Sequence, residues 1–268
     1  MPDQKEHSSA NEKAWNNSTY EAWISRFGSV EQAAARIKAN PAARLKGLYG
    51  YMGDLKGKKA ANLLGSHGSK AIAMALLGAD STVVDISEQN ARFARELACE
   101  AGVPLHYVVS DVLELPREEI SGDYDLVLME GGILHYFTDL EPLMKLVGGL
   151  LKPGGRLVLQ DFHPVTMKLI TSRGTTANIR KHKVTGDYFD TSIKEVDVAY
   201  GKFLPEEEQA VLPKAKVRYW NLGEVVTAAA QSGLIIRHLV EEPNQSSEVF
   251  DKGIPKMFTL VADKPATL

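Results

Sequence analysis

The chain has 268 residues, 44% of them hydrophobic and 24% charged, with a formal net charge of −3. That is enough for one large domain, or for one domain with a sizeable insertion, and the composition is that of an ordinary globular protein. The weak negative balance removes the electrostatic case for a nucleic-acid partner, and a single cysteine, Cys99, leaves no disulfide framework or thiolate metal cluster.

The opening stretch, MPDQKEHSSANEK, has no apolar run. It is expected to be no signal peptide, and residues 1–12 are expected to be a disordered tail. No later run is long enough for a membrane span, so a reducing cytoplasm is the expected location. From Trp15 to about Tyr51 the pattern is helical, with a break near Gly28 and a cap at Ser29 ahead of Glu31 and Gln32. Residues 1–57 thus read as a polar tail plus a helical extension, and 58–268 as the main domain. Tyr20 and Trp23, three apart, share a helix face. That face could wall a substrate pocket, fill the core, or make a homodimer contact.

Beyond residue 58, short apolar runs alternate with amphipathic stretches. Strands are predicted at 60–64, 81–85, 105–109, 124–129 and 156–161, with helices at 69–78, 87–101 and 139–151. Continuous apolar strands alternating with helices indicate a doubly wound, mostly parallel sheet covered on both faces. Cys99 is expected on the packed face of the helix at 87–101. Residues 164–218 lose the period and read as an insertion on the acceptor side, with Tyr188 and Phe189 as candidate substrate contacts. The run Arg180-Lys181-His182-Lys183 inside it reads as a solvated loop. A helix at 221–233 then leads into two strands with no helix between them, which implies an antiparallel finish.

The stretch ANLLGSHGSKAIAMALLGADSTVVDIS, residues 61–87, is a strand–loop–helix–strand whose loop holds two glycines, Gly65 and Gly68. A pyrophosphate needs the third glycine of Gly-x-Gly-x-x-Gly, and a Walker loop is missing as well, so a phosphate-bearing cofactor is disfavoured. A cofactor without phosphates asks for less. Asp85 closes the second strand, where a carboxylate accepts from both ribose hydroxyls, and Asp111 closes the third, where it can accept from an adenine amino group.

The pieces NLLGSHGSKA, VVDIS, SDVLELP, YDLVLMEGGILHYF and LLKPGGRLVLQDFHP together resemble the class I S-adenosylmethionine-dependent methyltransferases, over roughly residues 58–163 and again over 220–264. The resemblance implies a Rossmann-like, seven-stranded sheet whose last strand is inserted antiparallel. It also implies S-adenosylmethionine as cofactor and S-adenosylhomocysteine as product. The positions matching the cofactor site are Gly65, Ser66, His67, Gly68, Asp85, Ile86, Asp111, Val112, Glu130 and Gly131. Three positions depart from the family's pattern. Leu63 stands where an acidic residue is usual, and His67 and Ser69 stand where glycines are usual. The carboxylate of the cofactor would then be held by Ser66, Ser69 and backbone N–H groups with His67 or Lys70 assisting, and Glu130 could face its amino group.

Two histidines, His135 after the fourth strand and His163 after the fifth, sit where a base would act on an acceptor, and each reads equally as a hydrogen-bonded loop histidine. No metal-ligand spacing and no hydrolase elbow occurs, so no metal is expected. The leading expectation is methyl transfer to a small-molecule acceptor. A non-catalytic cofactor-binding sensor and a nicotinamide-dependent oxidoreductase are the alternatives from other classes.

Overall fold

The computed structural model describes residues 3–170, 184–243 and 253–266. The basic run at 180–183 lies outside them. Helices come first: α1 (Gln4–Trp15), α2 (Thr19–Phe27), α3 (Val30–Ala39), α4 (Pro41–Leu45) and α5 (Tyr49–Met52). The expected disordered tail is therefore wrong from Gln4 onward. Asp3 caps α1 by accepting from the Lys5 N–H at 3.0 Å, and His7, Asn11 and Ala14 form a buried face one helical turn apart. Asn11 bonds the Lys216 backbone twice, at 3.0 and 2.8 Å, while Gln4 accepts from the Thr138 N–H at 2.7 Å. The partners that order this polar helix come from the other half of the chain. Ser29 and Gln32 make the capping box of α3 that the sequence suggests.

The central sheet has β1 (Lys59–Leu63), β2 (Asp80–Asp85), β3 (His106–Val109), β4 (Tyr124–Glu130), β5 (Leu151–Phe162), and later β8 (Ile235–Pro243) and β9 (Pro255–Asp263). Their order is β3-β2-β1-β4-β5-β9-β8, parallel through β5, with β9 antiparallel to both of its neighbours. This is the doubly wound seven-stranded arrangement expected. Helices α6 (Ser69–Leu76), α7 (Glu88–Ala101), α8 (Glu141–Leu150) and α10 (Leu222–Gln231) cover it. Alternation along β4 divides the core: Leu126 and Leu128 face a layer with Met74, Phe93 and Trp23, whereas Val127 and Met129 face Met144, Val147 and Val225. The N-terminal helices thus share one core with the sheet, and the aromatic stripe considered for a subunit contact puts Trp23 inside, at 4% exposure.

Three local readings change. Strand β1 stops at Leu63 because Leu64 has φ +48°, which begins the turn. Strand β5 starts at Leu151 rather than 156, since the Lys-Pro-Gly-Gly turn pairs with its neighbours. Cys99 is exposed, on the outer face of α7 rather than its packed face. Within the insertion, a π-helical turn (Val165–Leu169) precedes a hairpin, β6 (Ile193–Val196) with β7 (Ala215–Arg218), joined through the short α9 (Glu206–Gln209). Among the described residues, no helix is long and apolar enough to cross a membrane.

Candidate functional site

The switch in strand order lies between β1 and β4, and a cavity of about 690 Å³ opens there beyond the strand ends. The β1–α6 loop forms its floor. Leu64 and Ser66 both have φ +48° and Gly68 has φ +69°, so this loop holds two non-glycine residues in the left-handed region. The glycines are required for space. A methyl on Gly65 would lie 2.9 Å from both Asn62 Oδ1 and Val83 Cγ1, and one on Gly68 would lie 2.8 Å from Ala94 Cβ.

Asp85, at the end of β2, is buried and accepts from the Ser66 N–H at 2.9 Å, the Ser87 N–H at 3.0 Å and Asn90 Nδ2 at 3.1 Å. Burial raises its pKa, and these three donors oppose the rise. Ile86, Asp111 and Val112 line the same end, with Asp111 capping a short turn through the Leu113 N–H at 3.0 Å.

The other end of the floor is cationic. Arg44 of α4 donates to Ser69 Oγ from Nε at 2.8 Å and from Nη2 at 2.5 Å, and Lys70 pairs with Glu130 at 2.9 Å. Burial lowers the pKa of Arg44, and the Glu130 carboxylate works against that. His67 does not act as a cation here. Its ring stands edge-on to Trp23 at 4.8 Å and Phe27 at 5.0 Å, and burial followed by the Arg44 and Arg26 charges pushes its pKa well below the usual imidazole value. Neutral, it accepts from the Ser69 N–H at 3.4 Å.

Beyond β4, Gly131 and Gly132 have φ +91° and +85° and turn the chain into the loop that carries His135. The Asp161 carboxylate fixes this loop by accepting from the Ile133 N–H at 3.1 Å and the Leu134 N–H at 2.9 Å; burial raises its pKa to about 6. His135 lines the cavity with Tyr136, Phe162 and Tyr219, its ring 4.3 Å from Tyr136 and 6.2 Å from Tyr219. Burial drives its pKa down to about 3.

The roof comes from the N-terminal helices. Trp15 donates to Tyr136 Oη at 3.1 Å, Trp23 donates to Asn90 Oδ1 at 2.8 Å, and Ser87 Oγ donates to the Trp15 carbonyl at 2.7 Å. The roof is thereby tied to the end of β2 beside Asp85.

All ten candidate cofactor positions gather at this cavity except Gly68, which shapes the loop from beneath. Four other candidates lie elsewhere. His163 is buried and turned toward β8 and β9, where it pairs with Glu241 at 2.6 Å; its strand neighbour Phe162 faces the cavity instead. Tyr20 lies on the outer face, donating to Glu96 at 2.5 Å under the Arg92 guanidinium. Tyr188 accepts from the Leu222 N–H at 3.3 Å, and Phe189 is 76% exposed. Neither lines the cavity. The lining residues that sequence reasoning missed include Arg26, Arg44, Lys46, Lys202, Tyr136, Phe162 and Tyr219, and Trp15 and Trp23 stood out there only as members of an aromatic stripe. Among the described residues, no group of three or more His, Cys, Asp or Glu side chains is arranged to hold a metal ion.

S-adenosylmethionine needs an acceptor for a ribose diol, an adenine slot, donors for a carboxylate and an acceptor for an ammonium group. Asp85, the Ile86–Val112 end, the Arg44–Ser69–Lys70 corner and Glu130 offer groups of these kinds around the cavity. The residues fit the cofactor.

Residues 64–159 match the family model described as a methyltransferase domain. The chain is 31% identical over 137 residues to a ubiquinone biosynthesis O-methyltransferase of Bordetella avium, which covers 51% of this chain and 56% of that relative. It thus spans about half the length of the curated relatives it matches. An S-adenosylmethionine dependent methyltransferase from Mesorhizobium loti shares the fold with a TM-score of 0.61 at 22% identity, covering 83% of this chain and 98% of that one. The magnesium protoporphyrin IX methyltransferase from Synechocystis, solved with bound S-adenosylhomocysteine, aligns over 98% of this chain and 100% of its own, with a TM-score of 0.55 and 17% identity.

Proposed function

We propose that this chain, whose residues 64–159 belong to the class I S-adenosylmethionine-dependent methyltransferases, transfers a methyl group from S-adenosylmethionine to a small-molecule acceptor. One observation carries the reading. In a single cavity of about 690 Å³, a ribose acceptor, a carboxylate corner and an aromatic wall converge. The cofactor, when bound, supplies an already activated sulfonium methyl, which leaves alignment and exclusion of water to the protein.

Asp85 accepts from the ribose hydroxyls, and Ile86 and Val112 flank the adenine with Asp111 at its edge. Arg44, Ser69 and Lys70 hold the carboxylate, and Glu130 accepts from the ammonium group. Ser66 and Gly65 set the backbone close beneath. Trp15, His135, Tyr136, Phe162 and Tyr219 form the wall against which a flat acceptor stacks. His135, neutral because burial holds its pKa near 3, accepts a hydrogen bond from an acceptor hydroxyl and orients its oxygen. It stores no proton at neutral pH: the S–CH3 bond breaks as the O–CH3 bond forms, and the acceptor's hydroxyl proton is lost to solvent at the cavity mouth. The relatives' name, O-methyltransferase, supports oxygen as the receiving atom, and the wall supports a ring hydroxyl. The cytoplasm is the compartment we assign to this reaction.

The test is incubation of the protein with S-adenosylmethionine carrying a labelled methyl group and a panel of small phenols. Label recovered in a phenol ether supports the proposal. Tight cofactor binding with no label in any acceptor would favour a sensor that uses the fold without chemistry.

A further inference from the structure

Five cationic side chains line the cavity: Arg26, Arg44, Lys46, Lys70 and Lys202. Shared rings connect three of them into a band. Lys202 Nζ lies 5.2 Å and Arg26 Cζ 4.7 Å from the centroid of Phe203, while Arg26 and Arg44 lie 4.8 and 6.0 Å from the centroid of Phe27. The carboxylate that lines this end, Glu130, is engaged by Lys70 at 2.9 Å. Asp197 at the mouth is engaged by Lys214 at 2.5 Å, and Asp85 and Asp111 belong to the nucleoside end. Among the described residues Arg26, Lys46 and Lys202 have no carboxylate partner, although the chain as a whole is acidic.

The cofactor cannot balance this surplus. Its carboxylate and ammonium cancel, and the sulfonium adds one positive charge, so a loaded site is more cationic than an empty one. Arg26, Lys46 and Lys202 line the cavity and are exposed, so this cluster of like charges is open to an incoming anionic group. A guanidinium stacked flat on aromatic rings keeps its in-plane N–H donors for a planar or tetrahedral oxyanion.

Building on the methyltransferase reading, we infer that the acceptor carries an anionic oxygen group, a carboxylate or a phosphate, seated against Arg26 and Lys202 while its methyl-receiving end lies on the Trp15–Tyr219 wall. The acceptor thereby neutralises the charge that the cofactor brings. Binding of the two ligands is expected to be mutually favourable, and the cationic mouth draws the acceptor in.

The test is calorimetric titration of the protein saturated with S-adenosylhomocysteine, using benzoate, phenyl phosphate and neutral benzamide as probes. We expect at least one anion to bind about tenfold or more tightly than benzamide. Whichever anion is preferred identifies the group. In Arg26→Gln and Lys202→Gln variants that preference should disappear, with affinity for S-adenosylhomocysteine kept within about twofold. Equal binding of benzamide and the anions, no binding of either anion, or a preference that survives both substitutions would overturn the inference. Failure of S-adenosylhomocysteine itself to bind the wild-type protein is a separate outcome, and would remove the cofactor reading and this inference together.

Discussion

Asp85 is the residue on which the proposed cofactor site turns, because its carboxylate ties Ser66, Ser87 and Asn90 together and still faces the cavity. Replacing it with alanine leaves buried donors and the ribose hydroxyls without an acceptor, at a cost of about 1–3 kcal/mol. S-adenosylhomocysteine should then bind about tenfold to a hundredfold more weakly by calorimetry; an unchanged Kd would take the ribose role away from Asp85. His135 carries a pH prediction. With its pKa near 3, it is neutral throughout the physiological range, so activity should show no inflection near 6.5 that vanishes in His135→Gln. Such an inflection would mean that the ring titrates normally and acts as a conventional base. Asp161 carries another. Its pKa of about 6 exceeds the unfolded value of 3.8, so the folded state binds the proton more tightly. The stability it contributes is present below about pH 4 and is lost as pH rises towards 6, a span of about 3 kcal/mol. Tm measured from pH 4 to 7 should fall less steeply in Asp161→Asn than in the wild type, and parallel curves would refute the assignment.

At the scale of elements, α1 is the least self-sufficient part of the roof, since its buried polar face depends on strand β7 and the loop after β4. Asn11→Ala removes two backbone hydrogen bonds and should cost about 1–3 kcal/mol. In hydrogen exchange, the amides of α1 should lose protection before those of the central sheet; loss spread evenly over the molecule would show that α1 is no separate unit. The same dependence explains what could be read in the sequence. Strands β1 to β5 were legible because their apolar runs and glycine turns are local signals, and so was the antiparallel finish. The helix at Gln4–Trp15 was not, because His7, Asn11 and Gln4 look like solvent residues until β7 and Tyr136 are beside them. His163 and Phe162 show the limit within the site. Two adjacent residues at a strand end point opposite ways, and which one meets the cavity depends on register with β9. Arg44 and Arg26 were missed because nothing local joins α2 and α4 to a loop that begins at Gly65.

At the scale of the whole molecule, the strand ends of the sheet open into a roofed cavity, cationic at one end and aromatic along a wall, in a chain of net charge −3. The loop at its floor departs from the family's pattern at Leu63, His67 and Ser69, and in the proposed site Arg44 with Lys70 supplies the charge for a modified grip. The most direct test is calorimetric titration of the wild-type protein with S-adenosylmethionine and, separately, with S-adenosylhomocysteine. Micromolar binding of both, at about −8 kcal/mol, is the predicted result. No binding of either at millimolar concentration would mean that this loop no longer holds the cofactor, and would contradict the account.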